Sequence, residues 1–122
     1  MSELETYIQS YFGATVEELQ GIADRFQCIP VKKGEYFLRA GRYSDRLGFI
    51  QEGIIREYVE VDGKEVTKWI STKGYFVTEL SSYLFQREAR WNIQALTDCS
   101  IFVIQKEAYR ELGKEIPRWT EL

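Results

Sequence analysis

The chain has 122 residues, of which 44% are hydrophobic and 29% are charged, and its formal net charge is −3. This length supports one domain with a single core, and the slight acidity gives no general attraction to nucleic acid. The chain contains no histidine. This excludes histidine-based metal sites and the serine–histidine and cysteine–histidine catalytic arrangements. We therefore expect that the chain is not an enzyme and does not by itself bind DNA.

The sequence predicts a cytoplasmic protein without a membrane anchor. Its apolar runs, such as IFVI at 101–104, are far shorter than the ~20 residues that a membrane-spanning helix needs. The N-terminus is acidic and amphipathic, unlike a targeting peptide. Cys28 and Cys99 are far apart in sequence and form no metal motif. In a reducing compartment both are expected to be buried thiols.

The N-terminal segment, residues 1–27, predicts two short helices. Apolar residues recur at helical spacing over 4–12 and indicate the first helix. The second helix begins at Thr15, which forms a capping box with Glu18, and its apolar side continues to Phe26.

Residues 28–105 are expected to form a β-structure, because over 28–72 the apolar period changes to two and glycines interrupt the chain regularly. The clearest signal is a hairpin in which IREYVEV meets EVTKWIS across DGK, since Asp-Gly readily adopts the positive φ of a tight turn. Two more strands, WNIQALT and CSIFVIQ, lead to a final helix over 106–116. Several short strands with glycine corners predict an antiparallel sandwich, barrel or jelly roll.

Four segments carry a family resemblance: KKGEYFLRAG, LGFIQEGIIREYVEVDGKEVTKWIS, KGYFVTELSSYL and WNIQALTDCSIFVI. With their flanking helices, they resemble the cyclic-nucleotide-binding domain of Crp/Fnr-type bacterial transcription regulators. The DGKEVTKW hairpin and the IQAL strand are similar to a divergent subgroup of cAMP-binding proteins from Bacteroidetes-like bacteria. The resemblance implies a mainly β fold with flanking helices, an antiparallel β-roll (double-stranded β-helix) of the jelly-roll type. The glycines that follow the family's order are Gly34, Gly41, Gly53, Gly63 and Gly74.

The resemblance also implies a binding site in residues 74–91, which correspond to the family's phosphate-binding cassette. In the family, cassette amides and an arginine bind the cyclic phosphate, and a glutamate binds the ribose hydroxyl. Amides at the start of a short helix and a guanidinium are suitable partners for an anion. The candidate ligand-binding residues are Thr78, Glu79, Leu80, Ser81, Arg87, Arg90 and Trp91.

This cassette departs from the family pattern at two positions. Thr78 replaces a glycine, and Ala89 falls at the position of the phosphate-binding arginine, between Arg87 and Arg90. Losing a charge-assisted contact costs about 1.5–3 kcal/mol. The sequence therefore predicts a cassette that keeps its fold while its main phosphate clamp is missing or displaced.

Each candidate side chain also has a simpler interpretation. Glu79 is either a ribose ligand or a helix-terminal carboxylate satisfied by local amides. Arg87 and Arg90 are either ligand contacts or solvated surface charges. Trp91 is either a platform for a base or a residue of the core or an interface.

Two functions are compatible with these residues. The first is the ligand-sensing domain of a Crp/Fnr-type regulator, which binds a cyclic nucleotide such as cAMP, or another small effector, and shifts its terminal helix. The alternative is a dimerisation or protein-interaction module that kept the β-roll and lost its ligand. A cupin-like enzyme is disfavoured by the absence of histidine.

The resemblance implies self-association of the full regulator, and DNA binding through a helix-turn-helix domain that residues 1–122 do not contain. A cyclic nucleotide effector is the only cofactor that it implies.

Overall fold

The computed structural model describes residues 3–116, apart from the side chains of residues 3, 11, 12, 80 and 81. In this part of the chain, no helix is both long and apolar enough to cross a membrane. Its helices are α1 (Glu3–Phe12), α2 (Val16–Ala23), α3 (Leu80–Phe85) and α4 (Lys106–Glu115).

Eight strands form two four-stranded antiparallel sheets in the described residues. The first sheet has the order β1-β8-β3-β6, and the second has the order β2-β7-β4-β5. This architecture confirms the predicted β-roll with flanking helices. The strands are β1 (Gln27–Val31), β2 (Tyr36–Leu38), β3 (Arg46–Glu52), β4 (Ile55–Val61), β5 (Lys64–Ser71), β6 (Phe76–Val77), β7 (Asn92–Ala95) and β8 (Cys99–Gln105).

The predicted hairpin is present as β4 and β5, which pair from Val61 and Lys64 outward. Its two turn residues, Asp62 and Gly63, have φ angles of 53° and 78°. These left-handed conformations match the twist of the strands and explain why Asp-Gly occupies the turn.

The buried side chains form two clusters, one on each side of the first sheet. The inter-sheet core lies between the two sheets and includes Ile50, Ile93 and Ile101. The helix-side core packs the helices on the other face of the first sheet. Its members are Leu4, Ile8, Ala14, Leu19, Ile22, Phe26, Leu47, Phe49, Tyr83, Ile104 and Leu112.

The N-terminal helices have the predicted start but not the predicted end. Thr15 and Glu18 make both hydrogen bonds of the capping box, at 3.0 and 3.1 Å. The second helix ends at Ala23, and Phe26 reaches the helix-side core from beyond the helix. The predicted apolar side is therefore correct, although its last residue is not helical.

The expectation that both cysteines are buried is wrong for Cys28. Cys99 is buried at 5% exposure, whereas Cys28 is exposed and its Sγ lies 3.4 Å from Oε1 of Gln51. Side chains alternate along β1, and Ile29 and Val31 face the inter-sheet core. Cys28, which directly precedes Ile29 in the strand, must therefore face outward.

Candidate functional site

The cassette, residues 74–91, folds around the short helix α3. The backbone carbonyl of Glu79 accepts a hydrogen bond from the Tyr83 amide at 2.9 Å and begins the helix. Gln86, with a φ of 54°, follows its last residue, Phe85. A left-handed residue in this position is a common way to end a helix.

The carboxylate of Glu79 joins the two ends of this cassette. The side chain is only 8% exposed, and its Oε2 accepts a hydrogen bond from the backbone N–H of Arg90 at 3.2 Å. A main-chain amide therefore holds the carboxylate, but the amide comes from the far end of the cassette. This bond links the two ends of the loop that a ligand in the cassette would contact.

Ala89, at the position of the family's arginine, is part of the inter-sheet core and 4% exposed. Its N–H donates to the carbonyl of Arg42 at 2.7 Å, and its carbonyl accepts from the amide of Gly41 at 2.8 Å. Tyr43 and Glu88 form a β-bridge beside these bonds. The end of the cassette is thus attached to the loop over 39–45, and an apolar methyl group occupies the arginine position.

The two predicted arginines are both exposed and lie in different places. The Arg87 guanidinium is 5.7 Å from the centroid of the exposed Phe85 ring. The Arg90 side chain lines a cleft that also contains Asn92 of β7. The structure therefore brings the backbone N–H of Arg90 to Glu79, while Arg90 is also one of the residues that line this other cleft.

A group of hydroxyls holds the start of the cassette. The Oγ1 of Thr78 lies 3.4 Å from the Oγ of Ser44, whose backbone N–H donates to the Oγ of Ser82 at 2.7 Å. Ser44 and Ser82 are both buried, which explains their mutual hydrogen bonding. The sequence analysis missed these serines, because their contacts join segments about forty residues apart.

The remaining predicted site residues receive less structural support. Leu80 and Ser81 open helix α3, but their side chains lie outside the described residues. Trp91 is half-buried just before β7, and it is not a member of either core. Its assignment as a ligand contact stays a prediction.

Glu57 of β4 is a second acidic residue at the site that the sequence analysis missed. It is paired in register with Ile93 of β7 and Trp69 of β5. Burial and the nearby charge of Glu79 raise the pKa of Glu57 above its ordinary value. The available signal was its position two residues after the buried Ile55, on a strand that alternates inward and outward.

The surface between the cassette and the inner side of the second sheet is called the cradle here. It includes the carboxylates of Glu57 and Glu79, which are close enough for the charge of Glu79 to raise the pKa of Glu57, and the exposed indole of Trp69, which is paired in register with Glu57. Ionised carboxylates only accept hydrogen bonds. Such a set favours a ligand that donates hydrogen bonds and disfavours a phosphate that lacks a cationic partner.

Two antiparallel sheets, a helix-side core and a cassette helix between β6 and β7 define a β-roll domain. The family model for the cyclic nucleotide-binding domain matches residues 28–115, and the chain belongs to this family. No curated protein sequence matches the chain significantly.

Solved structures share this fold at low sequence identity. The catabolite activator protein of Thermus thermophilus superposes with a TM-score of 0.81 and 21% identity over 91% of this chain and 52% of its own. The sensor domain of the regulator DNR from Pseudomonas aeruginosa gives 0.79 and 16% over 95% and 80%. The regulatory domain of Toxoplasma gondii PKA with cAMP gives 0.79 and 16% over 93% and 44%. The chain thus spans about half the length of the Thermus activator.

Proposed function

We propose that the chain is the ligand-sensing regulatory domain of a Crp/Fnr-type transcription regulator, with its effector in the cradle. The observation that carries this proposal is the buried Glu79 carboxylate, which links the two ends of the cassette through the Arg90 amide. Membership in the cyclic nucleotide-binding family supports it. The likeness to the Thermus activator and to the DNR sensor domain supports the regulatory role.

The effector in this proposal is a small molecule that donates hydrogen bonds to Glu79, with a cyclic nucleotide as the reference ligand. A ribose hydroxyl is a suitable donor for a buried carboxylate. The cyclic phosphate would find Ala89 where the family has a guanidinium. The missing charge-assisted bond weakens the binding of a cyclic nucleotide by about 1.5–3 kcal/mol, which raises its dissociation constant roughly ten- to 150-fold.

A direct contact connects the cassette helix to the final helix. Tyr83 of α3 packs edge-on against Tyr109 of α4 with ring centroids 5.8 Å apart. The Lys106 Nζ at the start of α4 lies 5.6 Å from the centroid of the Tyr83 ring. A shift of α3 on ligand binding would therefore move α4. In the proposed regulator this movement reaches a DNA-binding domain outside residues 1–122.

A thermal-shift titration with cAMP, cGMP and cyclic dinucleotides tests this proposal. A ligand at 100 times its dissociation constant adds about 2.7 kcal/mol to the free energy of unfolding, which raises the midpoint by several degrees. We expect one of these nucleotides to raise it at millimolar concentration. The shift should be lost in Glu79→Gln and kept in the matched variant Glu88→Gln, because Glu88 is an exposed residue of the same cassette.

Two results would contradict the proposal in different ways. A shift that survives Glu79→Gln would remove the effector from the cradle. No shift with any of the nucleotides would reject a cyclic nucleotide effector and support the module that has lost its ligand.

A further inference from the structure

A second cleft lies on the opposite face of the second sheet from the inter-sheet core. Its volume is about 500 Å³, within the range of about 300–1,000 Å³ typical of small-molecule sites. Its walls include Tyr58 of β4 and Asn92 of β7, which are paired in register. Because Ile93 points into the inter-sheet core, the adjacent Asn92 must face outward. This outer cleft is therefore separate from the cradle.

Three arginines line the outer cleft: Arg39, Arg42 and Arg90. The acidic residue among its lining residues is Glu60. The ion pairs found in the described part of the chain are Arg25–Glu115 and Arg56–Glu65, so none of the three guanidiniums is neutralised by such a pair there. A cleft with this charge is a local exception in a chain whose net charge is −3.

Two tyrosines beside these arginines provide polar groups that are already ordered. The hydroxyls of Tyr36 and Tyr58 lie 2.6 Å apart, and Tyr58 is only 2% exposed. The Arg39 guanidinium lies 4.1 Å from the centroid of the Tyr36 ring. The hydrogen bond with Tyr58, together with Arg39, lowers the pKa of Tyr36 from its ordinary value. The Tyr36 side chain is thus held in place next to a guanidinium.

Two hydrogen bonds donated by main-chain amides fix the segments that carry the arginines relative to each other. The Oδ1 of Asn92 accepts a hydrogen bond from the Ala40 amide at 2.9 Å, which ties the loop between Arg39 and Arg42 to β7. The bond from the Ala89 N–H to the Arg42 carbonyl, at 2.7 Å, places Arg42 beside Arg90. Because the backbone around the cleft is already ordered, a ligand would lose little free energy in ordering it, which favours binding.

We propose that the outer cleft binds a small molecule that carries a phosphate group, held by Arg39, Arg42 and Arg90. A guanidinium matches phosphate oxygens with two parallel hydrogen bonds, and a terminal phosphate presents three such oxygens. The volume of the cleft fits a pyrophosphate or a nucleoside monophosphate. This inference does not depend on the effector in the cradle, because the two surfaces lie on opposite faces of the sheet.

Isothermal titration calorimetry with inorganic pyrophosphate and with AMP tests this inference. We expect saturable binding of at least one of the two at low ionic strength, and weaker binding as salt is added. Tighter binding of AMP would indicate that the natural ligand is a nucleotide. Tighter binding of pyrophosphate would indicate an inorganic phosphate or a diphosphate group. Arg42→Gln and Arg90→Gln should each weaken binding by at least about tenfold.

Arg87→Gln is the matched control, because Arg87 is an exposed arginine of the same cassette that does not line the cleft. It should keep the affinity. The side chains of Arg42 and Arg90 are exposed, so unfolding midpoints close to the parent's are expected for both variants. The proposal would be overturned if neither probe gave saturable heat. It would also be overturned if Arg87→Gln weakened binding as much as Arg42→Gln and Arg90→Gln do.

Discussion

The two sheets of this domain have the same number of strands but different surroundings. Neighbouring residues of β3 in the first sheet are buried on both faces, with Phe49 at 1% and Ile50 at 0% exposure. In β4 of the second sheet, Ile55 is fully buried, whereas Arg56 points outward to Gln94 and Glu65. At these positions of β3 the first sheet is covered on both faces, whereas the second sheet has the cradle on one side and the outer cleft on the other. Stability and binding are therefore expected to depend on different sheets.

The largest expected effect comes from truncating an isoleucine in each sheet. Ile101 of β8 is fully buried in the inter-sheet core, whereas Ile70 of β5 is 53% exposed. Ile101→Ala should lower the free energy of unfolding by about 2–5 kcal/mol, because it removes packed methyl groups and leaves a cavity. Ile70→Ala should cost about 1 kcal/mol or less. Urea unfolding of both variants measures the difference, and equal costs would contradict the contrast between the sheets.

The next prediction asks whether the first sheet has room for one methyl group. A Cβ at Gly48 of β3 would lie 2.9 Å from Cγ2 of both Ile101 and Val77. Gly48→Ala should therefore cost about 1–3 kcal/mol through overpacking. Gly21→Ala is the control, since a Cβ there has only an ordinary contact at 3.9 Å. In helix α2 it should stabilise by about 0.5–1 kcal/mol. If the unfolding midpoint changed in the same direction in both variants, crowding at Gly48 would be refuted.

The smallest effect concerns the acidic residue on the inner side of the second sheet. The raised pKa of Glu57 means that folding favours its neutral form. Stability is therefore lost as the pH rises from the ordinary glutamate pKa of about 4.3 through the raised value. Glu57→Gln removes this loss and should raise the unfolding midpoint at pH 7 but not near pH 4.

Glu52→Gln provides the matched control for that variant, because Glu52 is exposed at the end of β3 in the first sheet. Midpoints of both variants at the two pH values measure the effect. A rise for Glu57→Gln that is equal at both pH values would show that its origin is not ionisation.

Local patterns in the sequence were sufficient to predict most of the fold. The Asp62-Gly63 turn and the Thr15–Glu18 capping box depend on neighbouring residues, and both are confirmed. The exposure of Cys28 was missed because it depends on which face of β1 meets the core. Membership in the Bacteroidetes-like subgroup stays a prediction.

The candidate site was harder to predict, because its geometry comes from contacts between distant segments. The register of β7 against β4 decides that Ile93 faces inward and Asn92 outward. Glu57 also lies close enough to Glu79, more than twenty residues away in sequence, for the charge of Glu79 to raise the pKa of Glu57. Neither result follows from spacing along the chain, so the sequence could not predict how the charged side chains of this region are arranged.

The position of β5 at the end of the second sheet has a consequence for solubility. Every residue from Lys64 to Ile70 is exposed, including the large side chains of Trp69 and Ile70. An outermost strand of this kind can recruit a strand from another molecule through its free backbone groups. The charges of Lys64, Glu65 and Lys68 work against such recruitment. These three residues therefore help to keep the domain from aggregating through this strand.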